Sequence, residues 1–390
     1  MSNREVVIAS YARTPFTRAY KGQLKDTRPD TMAALVIRAA LERVPGLDPN
    51  EIDDIALGCA MPEAEQGMNV ARIAGLLAGL PETVSGLTVN RFCSSGVQTI
   101  SQMSERIMVG AIDVAIAGGT ESMSMIPMGG NKVSANPQAM AEMPEIYCPM
   151  GTTAENVARE FSVAREDQDA FALSSHLKAS AAWERGFFKG EVIDVNTTWV
   201  NDVGVRKEIV ANRDEGPRPD SSIEALARLR PVFNPKGSIT AGNASPLTDG
   251  AAAVVLLSAD KAKELGVQPM GYYRAFQVAG VRPDIMGIGP VPAIRKLLAK
   301  TGLTIADIDL FEINEAFASQ SLYCARELGI DPAKLNVNGG AIALGHPLGV
   351  SGTRMAGTLL RQLKESGGRY GIVSMCIGGG MGAAALFERA

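Results

Sequence analysis

The first and last thirds of the 390-residue chain repeat one plan of short apolar strands and amphipathic helices. The segment EIDDIALG at 51–58 resembles DIDLFEIN at 307–314, and GAAAV at 250–254 resembles GAAAL at 382–386. In the second copy this last segment directly follows a strand-like run, whereas in the first copy about 130 residues intervene. The pattern predicts a duplicated α/β unit with a long insertion in its first copy.

Hydrophobic periodicity predicts the elements of the first copy. The predicted strands lie near Val6–Ala9, Asp54–Gly58, Leu87–Val89 and Val114–Ala117, and the predicted helices near Thr31–Arg43, Val70–Leu80 and Ser95–Val109. In both copies a Val-Asn pair, at 89–90 and at 337–338, precedes a Ser-Gly pair and a helix. The insertion, residues 120–248, has one predicted helix at 165–185. It is otherwise rich in Gly, Pro, Asn and Met, as loops that cover or bind a ligand often are.

Composition excludes several classes of protein. A net charge of −4 gives no general attraction to nucleic acid or to an anionic membrane, and no run of 18 apolar residues predicts a membrane span. The first residues show no signal-peptide core, so we expect a cytoplasmic protein. Five cysteines without a Cys-x-x-Cys pair argue against disulfides and against a zinc site.

Cys93 lies in the segment NRFCSSG, between a predicted strand and the start of a helix. A thiol at a helix N-terminus feels the positive end of the helix dipole and unpaired N–H groups, which favour the thiolate, and comparable sites reach pKa values of about 3.5–7.5. Taken alone, a buried inert cysteine is the more common explanation.

His346, one of only two histidines, lies in the glycine-rich segment NGGAIALGHPLGVSG at 338–352. If the two copies pack as pseudo-symmetric mates, this loop faces the Cys93 loop, and His346 can accept the Cys93 proton. Two further segments end strands. CIGGGMG carries Cys376 and glycines whose bare backbone N–H groups suit an oxyanion, and NEAF carries Asn314. Core packing and helix capping are the alternatives for these two segments.

The segments NRFCSSG, NEAF, GGAIALGHPLGVSG and CIGGGMG, in this order along the chain and together with TAGNASPLTDGAAA at 240–253, resemble the thiolase family over nearly the whole chain. The resemblance implies a thiolase-like α/β fold of two pseudo-symmetric layered halves (αβαβα) with a large inserted loop domain. We expect residues 1–119 plus 249–270 to form the first half, 120–248 the loop domain and 271–390 the second half. It also implies a homodimer or homotetramer and allows a hydratase/dehydrogenase partner.

The resemblance further implies roles for individual residues. Cys93 is the acylated nucleophile, His346 its base, and Cys376 the acid and base for the second substrate. Asn314, through a water, and His346 form one oxyanion hole, and the N–H groups of Cys93 and Gly378 form the other. Coenzyme A and acyl-CoA are substrates, and no metal or other cofactor is needed. The positions that match coenzyme A contacts are Met150, Arg218, Phe233, Ser245, Met286 and Phe317.

The expected reaction is cleavage of 3-ketoacyl-CoA by coenzyme A, as in fatty acid β-oxidation. Short-chain biosynthetic relatives usually have a histidine where this chain has Pro149, which favours the degradative branch over condensation of two acetyl-CoA molecules by an acetyl-CoA acetyltransferase. A ketoacyl synthase and a non-catalytic lipid carrier are more distant alternatives. His176, on the insertion's helix, and Cys59, Cys148 and Cys324 receive no role.

Overall fold

A computed structural model describes residues 4–201 and 203–390. Its strands are β1 (Val6–Arg13), β2 (Thr17–Arg18), β3 (Asp54–Gly58), β4 (Ser85–Val89), β5 (Val114–Ser122), β6 (Val195–Val200), β7 (Arg206–Ala211), β8 (Thr248–Ser258), β9 (Gly271–Gly280), β10 (Leu310–Ile313), β11 (Tyr370–Ile377) and β12 (Met381–Arg389). Its helices are α1 (Pro29–Glu42), α2 (Val70–Leu77), α3 (Ser95–Met108), α4 (Pro137–Glu142), α5 (Met150–Glu160), α6 (Arg165–Glu184), α7 (Ile223–Ala227), α8 (Ala259–Glu264), α9 (Pro290–Thr301), α10 (Ala318–Leu328), α11 (Ala341–Leu344) and α12 (Ser351–Ser366).

The predicted elements of the first copy are confirmed, although β1, β4 and β5 are longer than predicted and α2 ends at Leu77 instead of Leu80. β1 continues to Arg13 and β5 to Ser122 because both keep pairing with β8. Three of the added residues of β5, Thr120, Glu121 and Ser122, are polar and yet buried, since each side chain finds a partner. Thr120 donates to the Pro29 carbonyl, for example, at 2.7 Å. A strand that buries hydrogen-bonded polar side chains has no continuous apolar run there, so the apolar pattern does not predict its full length.

The main sheet shows the duplication directly. Within the described residues its strand order is β10-β11-β12-β9-β1-β8-β5-β3-β4, with β2 beside β8. The first copy supplies β1-β8-β5-β3 and the second supplies β9-β12-β11-β10, so the same order runs outward from an antiparallel pair, β1 and β9, at the centre. A duplicated sequence has thus produced two sheet halves related by a pseudo-two-fold axis.

The sheet halves and helices form five layers. α3 and α12 pack against each other, with α3 on the first half-sheet and α12 on the second, and their apolar faces share one core. α1 and α2 cover the outer face of the first half, and α9 and α10 cover that of the second. In the described part of the chain, none of the helices combines the length and apolar character needed to span the lipid bilayer.

The second copy departs from the first at the position of β4. In the second copy, the equivalent of β4 is reduced to an isolated bridge between Phe311 and Leu335. Asn336 follows with φ of +43°, and its side chain accepts the Ile313 N–H and donates to the Ile313 carbonyl, both at 2.9 Å. The amide side chain thereby makes the two hydrogen bonds that a neighbouring strand would otherwise supply.

One buried charge network joins the insertion to both halves. Arg13, fully buried on β1, donates to Glu191 at 2.8 Å and to both oxygens of Asp214 at 2.7 and 2.9 Å. Glu191 and Asp214 belong to the insertion, and Thr358 on α12 donates to Glu191 at 3.2 Å. Burial of these charges is offset only while all partners are present.

We therefore predict that Arg13→Met lowers the free energy of unfolding by about 3–5 kcal/mol, because it leaves two carboxylates buried without their cation. Urea unfolding followed by circular dichroism measures this loss. Arg282→Met is the matched control, since Arg282 makes exposed ion pairs with Glu160 and Asp284. An Arg13→Met protein as stable as the control variant would contradict the prediction.

Candidate active site

Cys93 lies in a single turn of 3-10 helix, Phe92–Ser94, between β4 and α3. Phe92 has φ of +43°, a region that bulky residues rarely adopt. The Asn90 side chain accepts the Phe92 N–H at 2.9 Å, and the Ser95 hydroxyl donates to the Phe92 carbonyl at 2.7 Å. These bonds hold the strained turn and place the thiol at the start of α3.

Burial decides the charge of the Cys93 sulfur. Desolvation raises the pKa of this thiol to about 11, and the nearby Glu121 carboxylate adds to the rise. Hydrogen bonds from the backbone N–H groups of Gly378 and of Cys93 itself act in the opposite direction. The expectation of a depressed pKa is therefore wrong for the resting site, because the loss of water outweighs these N–H groups and the helix N-terminus.

Both ring nitrogens of His346 have hydrogen-bond partners. Nδ1 lies 2.6 Å from Ser351 Oγ, and Nε2 lies 3.2 Å from Asn314 Nδ2. The Ser351 hydroxyl donates to the Pro347 carbonyl at 3.0 Å, so we assign the proton to Nδ1, which donates to Ser351. Because an amide nitrogen can only donate, Nε2 accepts from Asn314 and is the basic nitrogen.

The His346 ring is held neutral, and Asn314 has one free acceptor. Burial, helped by the positive charge of Arg354, lowers the pKa of His346 to about 3, so the ring is in the form that can accept a proton. Asn314 Oδ1 is buried and has no hydrogen-bond partner among residues 4–201 and 203–390. A buried carbonyl oxygen of this kind is costly unless it meets a donor, and the predicted water is such a donor.

Cys376 lies near the end of β11, and Gly378 opens the turn to β12. Burial raises the pKa of the Cys376 thiol well above its ordinary value, and negative charge on Cys93 raises it further. Gly378 also lies against Phe92, since a Cβ on this glycine would lie 3.8 Å from the Phe92 ring, so the Cys376 and Cys93 segments meet here. A thiolate at one of the two sulfurs keeps a proton on the other.

The loop of His346 meets the loop of Cys93. Leu348, two residues beyond the histidine, packs with Cys93 in one apolar cluster. The hydrogen bonds of the His346 ring go to Asn314 and Ser351, whereas the Cys93 sulfur receives backbone N–H groups. Proton transfer between Cys93 and His346 therefore stays a prediction, and catalytic hydrogen bonds of this kind often tighten only when substrate is bound.

An apolar cluster that includes Cys376 also brings together three of the six residues predicted to contact coenzyme A, and a fourth lies beside it. Met286 and Phe317 are buried in it, and Met150 packs against it. Phe233, which is 48% exposed, meets Phe317 edge-on with ring centroids 6.1 Å apart. The cluster forms an apolar wall that reaches from the surface to Cys376, and its binding role stays a prediction.

The other two predicted contacts lie in different places. The Ser245 N–H and hydroxyl both donate to the Ala316 carbonyl, at 3.0 and 3.1 Å, next to the apolar wall. Arg218 is exposed, and its N–H donates to Nδ1 of His176 on α6 at 3.3 Å. Burial lowers the pKa of His176 to about 4, so this histidine is a neutral acceptor that fixes the backbone at Arg218.

The three remaining cysteines differ in environment. Cys324 is buried on α10 and donates to the Gly287 carbonyl at 3.3 Å. Cys148 is half-buried in the loop before α5. Cys59 is buried after β3, with its sulfur 3.6 Å from the Glu121 carboxylate. Cys59 and Cys93 therefore lie near the same carboxylate, which the sequence does not indicate.

Glu315 holds the His346 loop and was missed as a site residue. Its buried carboxylate accepts hydrogen bonds from Ser175 Oγ at 2.6 Å, Asn336 Nδ2 at 2.8 Å and the Ile342 N–H at 3.2 Å. The sequence suggests either helix capping or a place at a ligand-binding strand end for this residue, but not a hold on the His346 loop. Its place beside Asn314 in the NEAF segment was the one available signal, because its partners are distant in sequence.

The neutral resting thiol makes a testable prediction. Because burial raises the pKa of Cys93 to about 11, the rate of its alkylation by iodoacetamide should climb steadily between pH 7 and 10. N-acetylcysteine, with an ordinary pKa, should instead approach its plateau within this range. Peptide mass spectrometry of trapped samples measures the rate at Cys93. A plateau below pH 7 would indicate a resting thiolate–imidazolium pair and contradict the prediction.

Family models and relatives identify the chain. Residues 6–260 match the model "Thiolase, N-terminal domain", and residues 267–389 match "Thiolase, C-terminal domain". The chain is 52% identical over 390 residues to the 3-ketoacyl-CoA thiolase of Bacillus subtilis, with 99% of both chains covered. It is 49% identical over 389 residues to the mouse peroxisomal 3-ketoacyl-CoA thiolase B, covering 99% of this chain and 91% of the relative.

Solved structures agree in fold. The acetyl-CoA acetyltransferase of Bacillus anthracis matches with a TM-score of 0.90 and 42% identity over 100% of both chains. The dimeric peroxisomal thiolase of Saccharomyces cerevisiae matches with a TM-score of 0.90 and 41% identity over 99% of this chain and 98% of the other. The chain has a thiolase fold of two layered α/β halves, and it belongs to the thiolase family of acyltransferases.

Proposed function

We propose that this enzyme cleaves 3-ketoacyl-CoA with coenzyme A to give acetyl-CoA and a shortened acyl-CoA, as in fatty acid β-oxidation. The observation that carries the proposal is the meeting of three segments: the Cys93 turn, the Cys376 strand end and the loop of His346, whose neutral ring keeps Nε2 as an acceptor bonded to Asn314. Two thiols suit a reaction in which one sulfur carries the acyl group and the other moves a proton.

The first half-reaction forms an acyl-enzyme. His346 Nε2 accepts the Cys93 proton as the sulfur attacks the 3-keto carbonyl carbon, and the N–H groups of Cys93 and Gly378 stabilise the oxyanion. The Cα–Cβ bond then breaks. Its electron pair forms the acetyl-CoA enolate, whose oxygen meets the newly formed Nε2–H and the Asn314-bound water. The Cys376 thiol protonates the enolate carbon and becomes a thiolate.

The second half-reaction restores the enzyme. Cys376 accepts the proton of the coenzyme A thiol, and the coenzyme A sulfur attacks the acyl group on Cys93. The Cys93 sulfur leaves and takes the proton back from His346. Each residue ends as it began, and the steps use only the thiols, the imidazole and coenzyme A. The raised pKa of Cys376 keeps it protonated until the enolate is present.

The reverse reaction, condensation of two acetyl-CoA molecules, is the second candidate. The similarity to an acetyl-CoA acetyltransferase supports it, whereas the two curated relatives above are named 3-ketoacyl-CoA thiolases. Pro149, at the point where α5 begins, also favours the degradative direction through the family pattern described above. The hydratase/dehydrogenase partner and the cytoplasmic location stay predictions.

Incubation with acetoacetyl-CoA and with longer 3-ketoacyl-CoA substrates tests the proposal. We expect loss of the 3-ketoacyl thioester absorbance that depends on coenzyme A, with cleavage of the longer substrates at least as fast as that of acetoacetyl-CoA. Release of carbon dioxide from malonyl-CoA without cleavage would indicate a ketoacyl synthase. Unchanged absorbance with every substrate would favour a carrier. Activity on acetoacetyl-CoA alone would favour the biosynthetic branch.

Two variants test the roles of the sulfurs. Cys93→Ala should abolish covalent labelling by acetyl-CoA, because the acyl group loses its acceptor. Cys376→Ala should still acylate but turn over about 10²–10⁴-fold more slowly, because proton transfer to the enolate is lost. Cys324→Ala is the matched control, a buried thiol on α10 outside the proposed chemistry. Equal labelling of the Cys93 and Cys376 variants would overturn the assignment.

We also propose that the enzyme is at least a homodimer that pairs through β4. This strand ends the main sheet and is only partly buried, so its outer backbone groups are available to another chain. Asn69 donates to the Gly86 carbonyl on β4 at 2.7 Å, and its neighbour Met68 is 93% exposed. The dimeric yeast thiolase supports the same oligomeric state.

Met68→Asp should weaken the dimer, because it places a charge beside the proposed contact. Static light scattering at micromolar concentration should give about twice the mass of one chain for the wild type and a lower mass for the variant. Val203→Asp, which changes an exposed valine of the β6–β7 hairpin, is the control and should leave the mass unchanged. A monomeric wild type would refute the proposal.

A further inference from the structure

Glu121, near the end of β5, is a buried carboxylate that the proposed mechanism does not use. Its oxygens meet five donors from three segments: the N–H groups of Ala60 at 2.8 Å, Met61 at 3.3 Å and Gly349 at 2.8 Å, Gln66 Nε2 at 2.5 Å, and Cys59 Sγ at 3.6 Å. Burial of a carboxylate costs little free energy when its oxygens accept this many hydrogen bonds, but removal of the carboxylate leaves several donors unpaired.

One of these donors comes from the other half of the molecule. Gly349 lies three residues beyond His346, and its backbone rests directly on the ends of β3 and β5. Its carbonyl oxygen would lie 2.6 Å from a Cβ on Gly58 and 2.0 Å from a Cβ on Gly119. No side chain fits at this contact. Glu121 therefore binds the His346 loop at the point where the two halves touch backbone to backbone.

We propose that Glu121 is a positioning residue, which fixes the His346 loop of the second half against the Cys93 site of the first half. The inference rests on the proposed function, because it concerns the geometry of the Cys93–His346 pair. It assigns to this carboxylate a role distinct from that of Glu315, which holds the opposite end of the same loop through Ile342.

The charge of Glu121 also acts on the site. It raises the pKa of Cys93 and of Cys59, the two thiols nearest to it. The other groups around Cys93 are Cys376, which burial keeps protonated, and His346, which burial and Arg354 keep neutral. The charge of the Glu121 carboxylate therefore acts on Cys93, and removing that charge should make the thiol more acidic.

Glu121→Gln keeps the shape of the side chain but turns one acceptor into a donor. We expect kcat for acetoacetyl-CoA thiolysis to fall about 10²-fold, the typical effect of a displaced catalytic group, while the KM for coenzyme A stays unchanged. The pH dependence of Cys93 alkylation should shift to lower pH than in the wild type. Glu121→Asp, which keeps the charge and shortens the reach, should lower kcat without shifting the alkylation profile.

Asp53→Asn is the matched control. Asp53 Oδ2 also accepts two backbone N–H groups, from Asp113 at 2.9 Å and Val114 at 3.1 Å, but it lies at the opposite end of β3 from Cys93. This variant should change neither kcat nor the alkylation profile.

Two results would overturn the inference: an unchanged kcat in Glu121→Asp and Glu121→Gln, or a lowered kcat that is matched by Asp53→Asn at equal loss of thermal stability. If Glu121→Gln does not fold, Glu121→Asp carries the kinetic test. A wild-type protein that fails to cleave acetoacetyl-CoA would refute the proposed function instead. In that case the alkylation profiles still decide whether Glu121 acts on Cys93, because they require no turnover.

Discussion

Close packing of glycine backbones at the joint between the halves is the constraint on which the site depends. α3 and α12 cross at their N-terminal turns, where a Cβ on Gly96 would lie 2.7 Å from Thr353 Oγ1 and a Cβ on Gly352 would lie 2.4 Å from the Val97 nitrogen. Each helix begins just after a loop that contains a proposed catalytic residue. Because the helices approach this closely at the same end, the Cys93 loop and the His346 loop have to share one site.

Burial then sets the chemistry of the shared site. Away from water, both thiols stay protonated and the imidazole stays neutral, so the resting site of Cys93, Cys376 and His346 holds no separated charges. In the proposed reaction these groups exchange protons with each other or with the substrate, and the charge that appears meets fixed donors instead of solvent. Preorganised N–H groups are most effective in such an environment.

Much of the fold could be predicted because the duplicated sequence presents the same strand and helix patterns twice. The two copies support each other, and the long interruption in the first copy marks the insertion between β5 and β8. The sequence did not predict the structural roles that single side chains fill through distant partners. At Asn336 an amide replaces the missing strand, and at Arg13 a buried cation joins three distant segments. Neither role leaves a local pattern, because the partners lie far away along the chain.

The sequence by itself determined the main elements and the family and proposed the residues for the chemistry, because those depend on local periodicity and on the spacing of motifs. The tertiary structure alone decided how these residues behave. It reversed the expected acidity of Cys93, assigned the protons of His346, and revealed Glu121 and Glu315 as the carboxylates that hold the histidine loop. The physical reason is that pKa values and loop positions depend on desolvation and on donors brought together only by folding.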